Sequence, residues 1–272
     1  MNRDPLIYIH LHKSGGSTAN RVLMNFFPED KVFHIDGTRY EASMTEFLNL
    51  PAEERNRFQL VKGHQFFGVH RHLAGHPKYF TILRDPLDRL VSLYNYCRIA
   101  PEITFRNEIL DKKLDFYEFV KSGLSRTADN GMVRFVSGIG WDQVPYGHCT
   151  DEMLQMAIGN IREHFVLAGL TEEFEDTFLL LKTILKLKGF PFVTASRNIS
   201  AERNVDGIPL MKRKDLDTDK LAGILPFYKF DQALFDYAQS EFKQIKSRYA
   251  RPLAWNKLRF SWARAWQGKQ ST

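Results

Sequence analysis

The chain has 272 residues, of which 43% are hydrophobic, so it can bury one sizeable core as a single large domain. Its formal net charge of +6 suits a phosphorylated or otherwise anionic ligand. None of the standard nucleic-acid-binding signatures occurs, so nucleic acid is not an expected partner, and the chain has no apolar run of about 18 residues that would predict a transmembrane helix.

The cysteines and the N-terminal segment bear on the cellular setting. Cys97 and Cys149 are the only cysteines, and they have neither metal-ligand spacing nor a disulfide framework. The first apolar run begins at Leu6, which leaves no room for a signal peptide before it. We therefore expect a protein of a reducing cytoplasm, and the simplest setting is bacterial.

The first predicted elements are a strand, a loop and a helix. Residues 6–11 alternate in a way that predicts a buried strand, and Lys13-Ser-Gly-Gly-Ser-Thr18 follows. The two glycines permit the positive φ that lets backbone N–H groups converge on an anion. Residues 17–27 have apolar side chains at helical spacing, so the loop leads into the positive end of a helix. Because Lys13 precedes the glycines, whereas a nucleotide-kinase lysine follows them, another phosphoryl-like group is expected.

The next stretch predicts three further strands. Residues 32–35 form a short candidate, and residues 38–57 read as a polar helical region interrupted by Pro51. Residues 58–62 and 79–83 are apolar enough for core strands. Together with the first strand they predict a mainly parallel sheet.

Charged or titratable side chains follow three of these strands. Lys13 follows the first, His64 the strand at 58–62, and Arg84 the strand at 79–83. Asp85 and Pro86 then have the residue types of a helix N-cap and a first helical position. Ligands collect at the carboxyl ends of parallel strands, so we expect Lys13, His64 and Arg84 to converge on one crevice.

The second half of the chain reads mainly as helices. A short buried strand is predicted at 165–169, and residues 195–209 are the most linker-like segment. Helical patterns cover residues 115–123, 128–137, 151–162, 171–187 and 227–248. We divide the chain into a catalytic domain at 1–250 and a C-terminal tail or helix at 251–272.

The tail is basic and rich in tryptophan. From Arg248 onward it has six lysines and arginines and no acidic residue. A stripe at helical spacing comprises Trp255, Leu258, Trp262 and Trp266. Such a stripe is typical of a helix that docks on its own domain, and a helix that contacts a membrane surface or the acceptor is the alternative.

Two motifs resemble those of a known family. Lys13–Thr18 resembles the 5′-phosphosulfate loop of sulfotransferases, whose donor is 3′-phosphoadenosine 5′-phosphosulfate (PAPS). Residues 79–94 are similar to the family's 3′-phosphate motif, in which a strand ends in Arg84 and Ser92 follows eight residues later. The order and spacing of the pair make the signal specific. The carbohydrate branch fits best, namely the glycosaminoglycan 2-O-sulfotransferases and their bacterial relatives, and the resemblance spans most of residues 6–240.

This resemblance implies a fold and a donor site. The fold would be α/β, a three-layer P-loop-like sulfotransferase fold with a mainly parallel central sheet flanked by helices. No metal is demanded, since the resemblance implies that Lys13 neutralises charge on the leaving 5′-phosphate. Donor-binding residues would be Lys13, Ser14, Gly15, Gly16, Ser17 and Thr18 for the 5′-phosphate, with Arg84 and Ser92 for the 3′-phosphate. Ser200 and Arg203 would join them from a covering loop, or belong to a solvated loop.

The acceptor side depends on histidine. His64 matches the family's Gly-His position and is the predicted general base, because an imidazole can accept the proton of a hydroxyl nucleophile. His12, His70 and His72 are the competitors for that role. His12 stands where many relatives have proline, which makes it a candidate acceptor contact.

A third candidate region lies on a predicted helix. Asn130 and Arg134 are one turn apart, and the arginine would either grip an acidic sugar or be an ordinary cation on the helix surface. We treat both residues as candidate acceptor contacts.

These observations predict an O-sulfotransferase that transfers the sulfuryl group to a hydroxyl of a carbohydrate or glycan-like acceptor. One alternative is a sulfotransferase for a small lipid, phenol or natural-product alcohol. Another is a non-catalytic binder of sulfated polyanions, against which the joint presence of Lys13, His64 and both phosphate motifs argues.

Overall fold

The computed structural model describes residues 4–189, 204 and 206–270, and its centre is one parallel sheet. Five strands follow the order β2-β3-β1-β4-β5, and every neighbouring pair is parallel. The predicted α/β fold with a mainly parallel sheet flanked by helices is confirmed. The strands are β1 (Leu6–Ile9), β2 (Val32–Ile35), β3 (Leu60–Gly63), β4 (Lys78–Leu83) and β5 (Phe165–Leu170).

The helices agree closely with the sequence pattern. Proline 51 divides the predicted helical region 38–57 into two helices, and most of the predicted linker, residues 195–203 and 205, lies outside the described residues. None of the described helices is both long and apolar enough to cross a bilayer. The α-helices of the described part are α1 (Gly16–Met24), α2 (Tyr40–Asn49), α3 (Ala52–Arg55), α4 (Pro86–Ile99), α5 (Arg106–Asp111), α6 (Phe116–Ser122), α7 (Gly131–Ser137), α8 (Asp151–His164), α9 (Phe174–Leu185), α10 (Thr218–Leu221), α11 (Lys229–Arg248) and α12 (Ala250–Gln270).

The position of β1 explains its composition. It lies between β3 and β4, and its four residues are at most 3% exposed. A strand that is covered on both faces reads as a continuous apolar run, as β1 does. By contrast β2 is an edge strand, and its His34 is exposed.

The register brings three chain segments to one edge of the sheet. Ile9 at the end of β1 lies opposite Gly63 on β3 and Thr81 on β4. The residues that follow these strands therefore emerge side by side. The last residues of β1, β3 and β4 thus bring Lys13, His64 and Arg84 towards the same edge, as the sequence predicts.

The C-terminal helix α12 does not dock through its tryptophans. Trp255 and Trp262 are 56% and 61% exposed, so the expectation that the stripe packs on its own domain is wrong for them. Leu253 and Phe260 are buried instead, at 4% and 3% exposure. The side chain of Trp266 lies outside the described part of the structure.

Candidate active site

The loop between β1 and α1 has the geometry of an anion site. Gly15 caps α1 in the left-handed region with φ +72°, and no acidic residue lies in the first turn of that helix. Gly16 has no room for a side chain, because a Cβ there would lie 1.3 Å from Nε2 of His10. The N-terminal N–H groups and the positive dipole end of α1 are thus left for a negatively charged group.

Two cavities lie against this loop. The first, which we call the Arg84 cavity, has a volume of about 820 Å³, and its lining includes Gly15, Thr18, Arg84, Thr171, Phe174 and Phe178. The second, the His64 cavity, has a volume of about 680 Å³, and its lining includes His12, Arg39, Tyr40, His64, Arg126 and Trp141. Arg84 and His64 therefore face different cavities, which corrects the expectation of a single crevice.

Buried hydroxyl groups around the loop lack partners. Ser14 is 1% exposed, and neither its Oγ nor Oγ1 of Thr171 has a hydrogen-bond partner within the described structure. A buried polar atom left unpaired is costly, and such atoms are rare outside sites that bind a ligand. Both hydroxyls fit a donor whose phosphate oxygens accept hydrogen bonds.

The two cations of the loop region have different environments. Lys13 adopts φ +64°, which is unusual for a residue with a side chain, and its carbonyl oxygen accepts a hydrogen bond from Nη1 of Arg84 at 3.0 Å. The Lys13 ammonium lies 3.9 Å from the ring centroid of Tyr96, a cation–π contact. Burial lowers the pKa of Arg84, and nearby Asp88 and Glu172 oppose that shift. Arg84 thus lines the Arg84 cavity and at the same time donates a hydrogen bond to the backbone of the loop.

His64 is the middle ring of a stack of three histidines. Its ring centroid lies 4.0 Å from that of His10 and 3.8 Å from that of His12, and the His12 ring is within 4° of parallel. Nδ1 of His64 lies 2.6 Å from the carbonyl oxygen of His10. Ring contacts on both faces and this hydrogen bond fix the plane of His64.

The hydrogen bond also fixes the tautomer of His64. A carbonyl oxygen only accepts, so Nδ1 carries the hydrogen and Nε2 keeps a lone pair. Burial is the main cause that lowers the pKa of His64 to about 4, although its hydrogen bond to His10 opposes the shift. The pKa of His12 is likewise held well below its usual value by burial and by His64. At neutral pH the ring of His64 is therefore unprotonated and able to accept a proton.

The other histidine candidates lie elsewhere. His70 has its Nδ1 2.9 Å from the hydroxyl of Tyr79, and His72 is exposed at the end of a 3₁₀ turn. Of the competitors for the base, only His12 lines the His64 cavity.

Asn130 and Arg134 are structural residues of the core. The side chain of Arg134 is 0% exposed and pairs with Asp129 at 2.5 Å, which contradicts both a grip on an acceptor and a surface cation. Asn130 is also 0% exposed, and its Oδ1 accepts hydrogen bonds from the backbone N–H groups of Phe230 and Asp231. A periodic pattern does not distinguish a buried, paired arginine from an exposed one, which is why the sequence misled here.

The other residues that the sequence predicts to bind PAPS have different positions. Ser17 is exposed, Thr18 lines the Arg84 cavity, and Ser92 is half-buried on α4, one turn beyond the cavity residue Asp88. Ser200 and Arg203 lie outside the described residues.

Several lining residues escaped the sequence reasoning. On the side of the His64 cavity they are Arg39, Tyr40, Arg126 and Trp141. On the side of the Arg84 cavity they are Thr171, Phe174, Phe260 and Arg264. Only Thr171 and Phe174 had a signal, since both lie at the start of the predicted helix 171–187, directly after the predicted strand 165–169.

Strand β1 of the parallel sheet leads into a phosphate loop, and Arg84 directly follows the neighbouring strand β4. The chain belongs to the sulfotransferase family, because a sequence model described as "Sulfotransferase family" matches residues 1–238. It is therefore an enzyme of the sulfotransferase class, whose members use PAPS as donor.

The curated relatives of the chain include heparan sulfate 2-O-sulfotransferases. The chain is 24% identical over 271 residues to heparan sulfate 2-O-sulfotransferase 1 of Xenopus laevis, covering 90% of this chain and 72% of that protein. It is also 24% identical over 264 residues to heparan sulfate 2-O-sulfotransferase hst-2 of Caenorhabditis elegans, covering 88% and 78%. The alignment with the Gallus gallus enzyme covers only 50% of that protein, at 25% identity and over 64% of this chain.

A solved structure that this chain matches is also a sulfotransferase. It is that of mouse sulfotransferase SULT7A1 complexed with PAP, with a TM-score of 0.42 and 14% sequence identity, covering 91% of this chain and 85% of that one.

Proposed function

We propose that the chain transfers a sulfuryl group from PAPS, bound in the Arg84 cavity, to a hydroxyl of a carbohydrate acceptor in the His64 cavity. The observation that carries this proposal is that the loop between β1 and α1 contributes to both cavities. Gly15 lines the first together with Arg84, and His12 lines the second together with the unprotonated His64. Donor and acceptor then approach this loop from different cavities, which suits an in-line displacement because the acceptor oxygen attacks sulfur opposite the leaving phosphate oxygen.

The donor side is supported by the groups that would hold phosphates. The N-terminus of α1 and the unpaired hydroxyl of Ser14 suit the 5′-phosphate. Arg84 provides a guanidinium fork for the 3′-phosphate, and Ser92 adds a hydroxyl from α4. PAPS supplies the sulfuryl group and, as leaving group, adenosine 3′,5′-bisphosphate.

The chemistry assigned to the protein is a proton transfer and the stabilisation of charge. Nε2 of His64 accepts the proton as the acceptor oxygen bonds to sulfur. Lys13 neutralises the charge that develops on the 5′-phosphate as the sulfur–oxygen bond to it breaks. His10 and His12 hold the ring of His64 in its plane throughout, so neither of them needs to react.

The acceptor side is supported by the lining of the His64 cavity. Arg39 and Arg126 supply two cations, which suit the carboxylates or sulfates of an acidic glycan. Glu41 and Asp142 also line the cavity, and the arginines pair with Asp36 and Asp142 through exposed ion pairs, which cost little to exchange. Among the described residues the indole N–H of Trp141 is buried without a hydrogen-bond partner, and the rings of Trp141 and Tyr40 provide apolar faces on which sugars pack. The heparan sulfate 2-O-sulfotransferase relatives support the same class of acceptor.

The donor assignment is tested by ligand-induced stabilisation. Adenosine 3′,5′-bisphosphate should raise the melting temperature more than 5′-AMP does, because binding to the native state stabilises it and only the bisphosphate engages Arg84 through a 3′-phosphate. Arg84→Ala should remove the difference between the two nucleotides, and Arg84→Lys should keep part of it. Equal shifts for both nucleotides with the unchanged protein would contradict the donor site.

The acceptor class is tested by turnover. With PAPS present, release of the bisphosphate should be faster with a desulfated, uronic-acid-containing polysaccharide than with a phenol or a small aliphatic alcohol. Arg39→Ala and Arg126→Ala should raise the KM for the polysaccharide and leave that for PAPS unchanged. Preferential sulfation of phenols would replace the carbohydrate acceptor with a small-molecule alcohol, and binding of a sulfated polysaccharide without any turnover would indicate a non-catalytic binder.

A further inference from the structure

The C-terminal helix α12 lies beyond the part of the chain that the family model matches, which ends at residue 238. It nevertheless packs firmly on α9. Lys257 pairs with Asp176 at 2.5 Å, and Asn256 donates a hydrogen bond to Thr183 at 2.9 Å. The burial of Leu253 and Phe260 on the same helix shows that this face belongs to the core rather than to the solvent.

One end of this contact reaches the Arg84 cavity. Phe260 and Arg264 line that cavity together with Gly15 and Thr18 of the phosphate loop and with Arg84. A cavity of about 820 Å³ is in the range of sites that enclose a nucleotide-sized ligand. Residues from outside the family match therefore complete the cavity that the phosphate loop opens.

The lining of the Arg84 cavity also suits the adenosine part of a nucleotide. Val22, Phe174 and Phe178 line it together with Phe260, so a flat apolar base would be covered by aromatic rings. The guanidinium of Arg264 lies 4.5 Å from the ring centroid of Phe260 and pairs with Glu175 at 2.8 Å. Arg264 is thus a second guanidinium in the cavity, after Arg84, and an exposed acid holds it in place.

We propose that α12 forms part of the donor site, with Phe260 packing against the adenine and Arg264 exchanging Glu175 for a contact with the bound nucleotide. This inference rests on the proposed donor function of the Arg84 cavity. It assigns the C-terminal helix a binding role that its tryptophan stripe did not indicate. The ion pair of Arg264 is solvent-exposed, with side chains 63% and 49% exposed, so its exchange for a phosphorylated ligand costs little.

The test is calorimetric titration of adenosine 3′,5′-bisphosphate into full-length variants. Arg264→Ala should weaken binding by roughly 10- to 150-fold, the usual contribution of a hydrogen bond to a charged group. Phe260→Leu, which keeps an apolar side chain but removes the ring, should weaken it by roughly 3- to 10-fold. Arg251→Ala is the matched control, because Arg251 is an exposed cation on the same helix outside the cavity lining, and it should leave affinity unchanged.

Glu175→Gln separates a nucleotide contact from a purely structural role. If Arg264 only fastens α12 to α9, Glu175→Gln and Arg264→Ala break the same pair and should weaken binding equally, which would overturn the inference. If Arg264 contacts the nucleotide, Glu175→Gln should leave binding unchanged or strengthen it. Arg84→Ala is titrated in parallel: loss of binding there combined with none in Arg264→Ala refutes the inference alone, whereas no loss in Arg84→Ala refutes the donor site itself.

Discussion

The N-termini of α1 and α7 look alike in sequence and differ in structure. Each begins at a glycine, Gly16 or Gly131, and follows a cap residue in the left-handed region, Gly15 with φ +72° or Asn130 with φ +42°. At α7 the buried carboxylate of Asp231 accepts the backbone N–H groups of Met132 and Val133. At α1 no side chain of the described residues caps the helix, and the hydroxyl of Ser14 is buried without a partner among them.

The difference shows how a ligand site is distinguished from a structural one. At α7 the protein supplies its own anion, and the nearby Arg134 pairs with Asp129 inside the core. At α1 the backbone N–H groups and the hydroxyl of Ser14 remain available to an anion from outside the described residues. The two helix N-termini differ in whether the protein itself provides hydrogen-bond partners for their polar groups, and not in residue type.

The largest effect, a loss of kcat, is expected from replacing His64, the proposed base. His64→Ala should lower kcat by roughly 10² to 10⁴, the usual contribution of a general base, and leave affinity for adenosine 3′,5′-bisphosphate almost unchanged, since His64 does not line the Arg84 cavity. Lys13→Ala should impair both, because Lys13 meets the phosphate in the ground state and more strongly in the transition state. Steady-state kinetics and calorimetric titration of both variants measure this.

His64→Asn is the control for packing, because its side-chain amide can still donate to the carbonyl of His10. It should lose as much kcat as His64→Ala does. Normal turnover of either variant would move the base to another residue, and His12, the other histidine that lines the His64 cavity, would be examined first.

The next largest effect is expected near the N-terminus of α7, where Arg134 has a structural role. Arg134→Ala leaves the carboxylate of Asp129, itself 0% exposed, buried without its cation, so the free energy of unfolding should fall by about 3–5 kcal/mol. Urea denaturation measures the loss. Arg162→Ala removes a 70% exposed cation and should change stability by less than about 0.5 kcal/mol.

The folded Arg134→Ala protein should still bind the bisphosphate normally at low temperature. Weaker nucleotide binding with unchanged stability would reverse the roles assigned to the two helix ends.

The smallest effect per residue concerns pH and the histidine stack. Burial lowers the pKa of His10 to about 2 and that of His64 to about 4, and it also depresses that of His12. An unfolded histidine titrates near pH 6.5, so below that pH protons bind the unfolded state more readily than the folded one. The free energy of unfolding is therefore highest above pH 6.5 and decreases as the pH falls towards the folded pKa values. Each histidine should lower the free energy of unfolding by at most about 1.4 kcal/mol for each pH unit below pH 6.5.

Melting temperatures measured from pH 7.5 to pH 4.5 check the slope. His12→Phe keeps an aromatic ring in the stack without a titrating group and should flatten the curve, whereas His76→Gln at an exposed site should not. An unchanged slope in His12→Phe would mean that the stack is not the origin of acid sensitivity.

The sequence by itself determined the parallel α/β fold and the phosphate loop. Local patterns sufficed, because β1, β3 and β4 are apolar runs and each is followed by the residue of interest, Lys13, His64 or Arg84. Gly15 and Gly16 are dictated by backbone geometry and by the space that His10 occupies, which are local constraints as well.

Only the tertiary structure decided which polar groups find partners within the protein. Arg134 is buried because Asp129 and the carbonyls of Val144 and Pro145 surround it, and nothing in its helical spacing indicates those contacts. The separation of the two cavities and the approach of Phe260 to the phosphate loop likewise join residues that are far apart in the chain. Such contacts depend on how the helices pack, and the periodicity of a single segment carries no information about its distant neighbours.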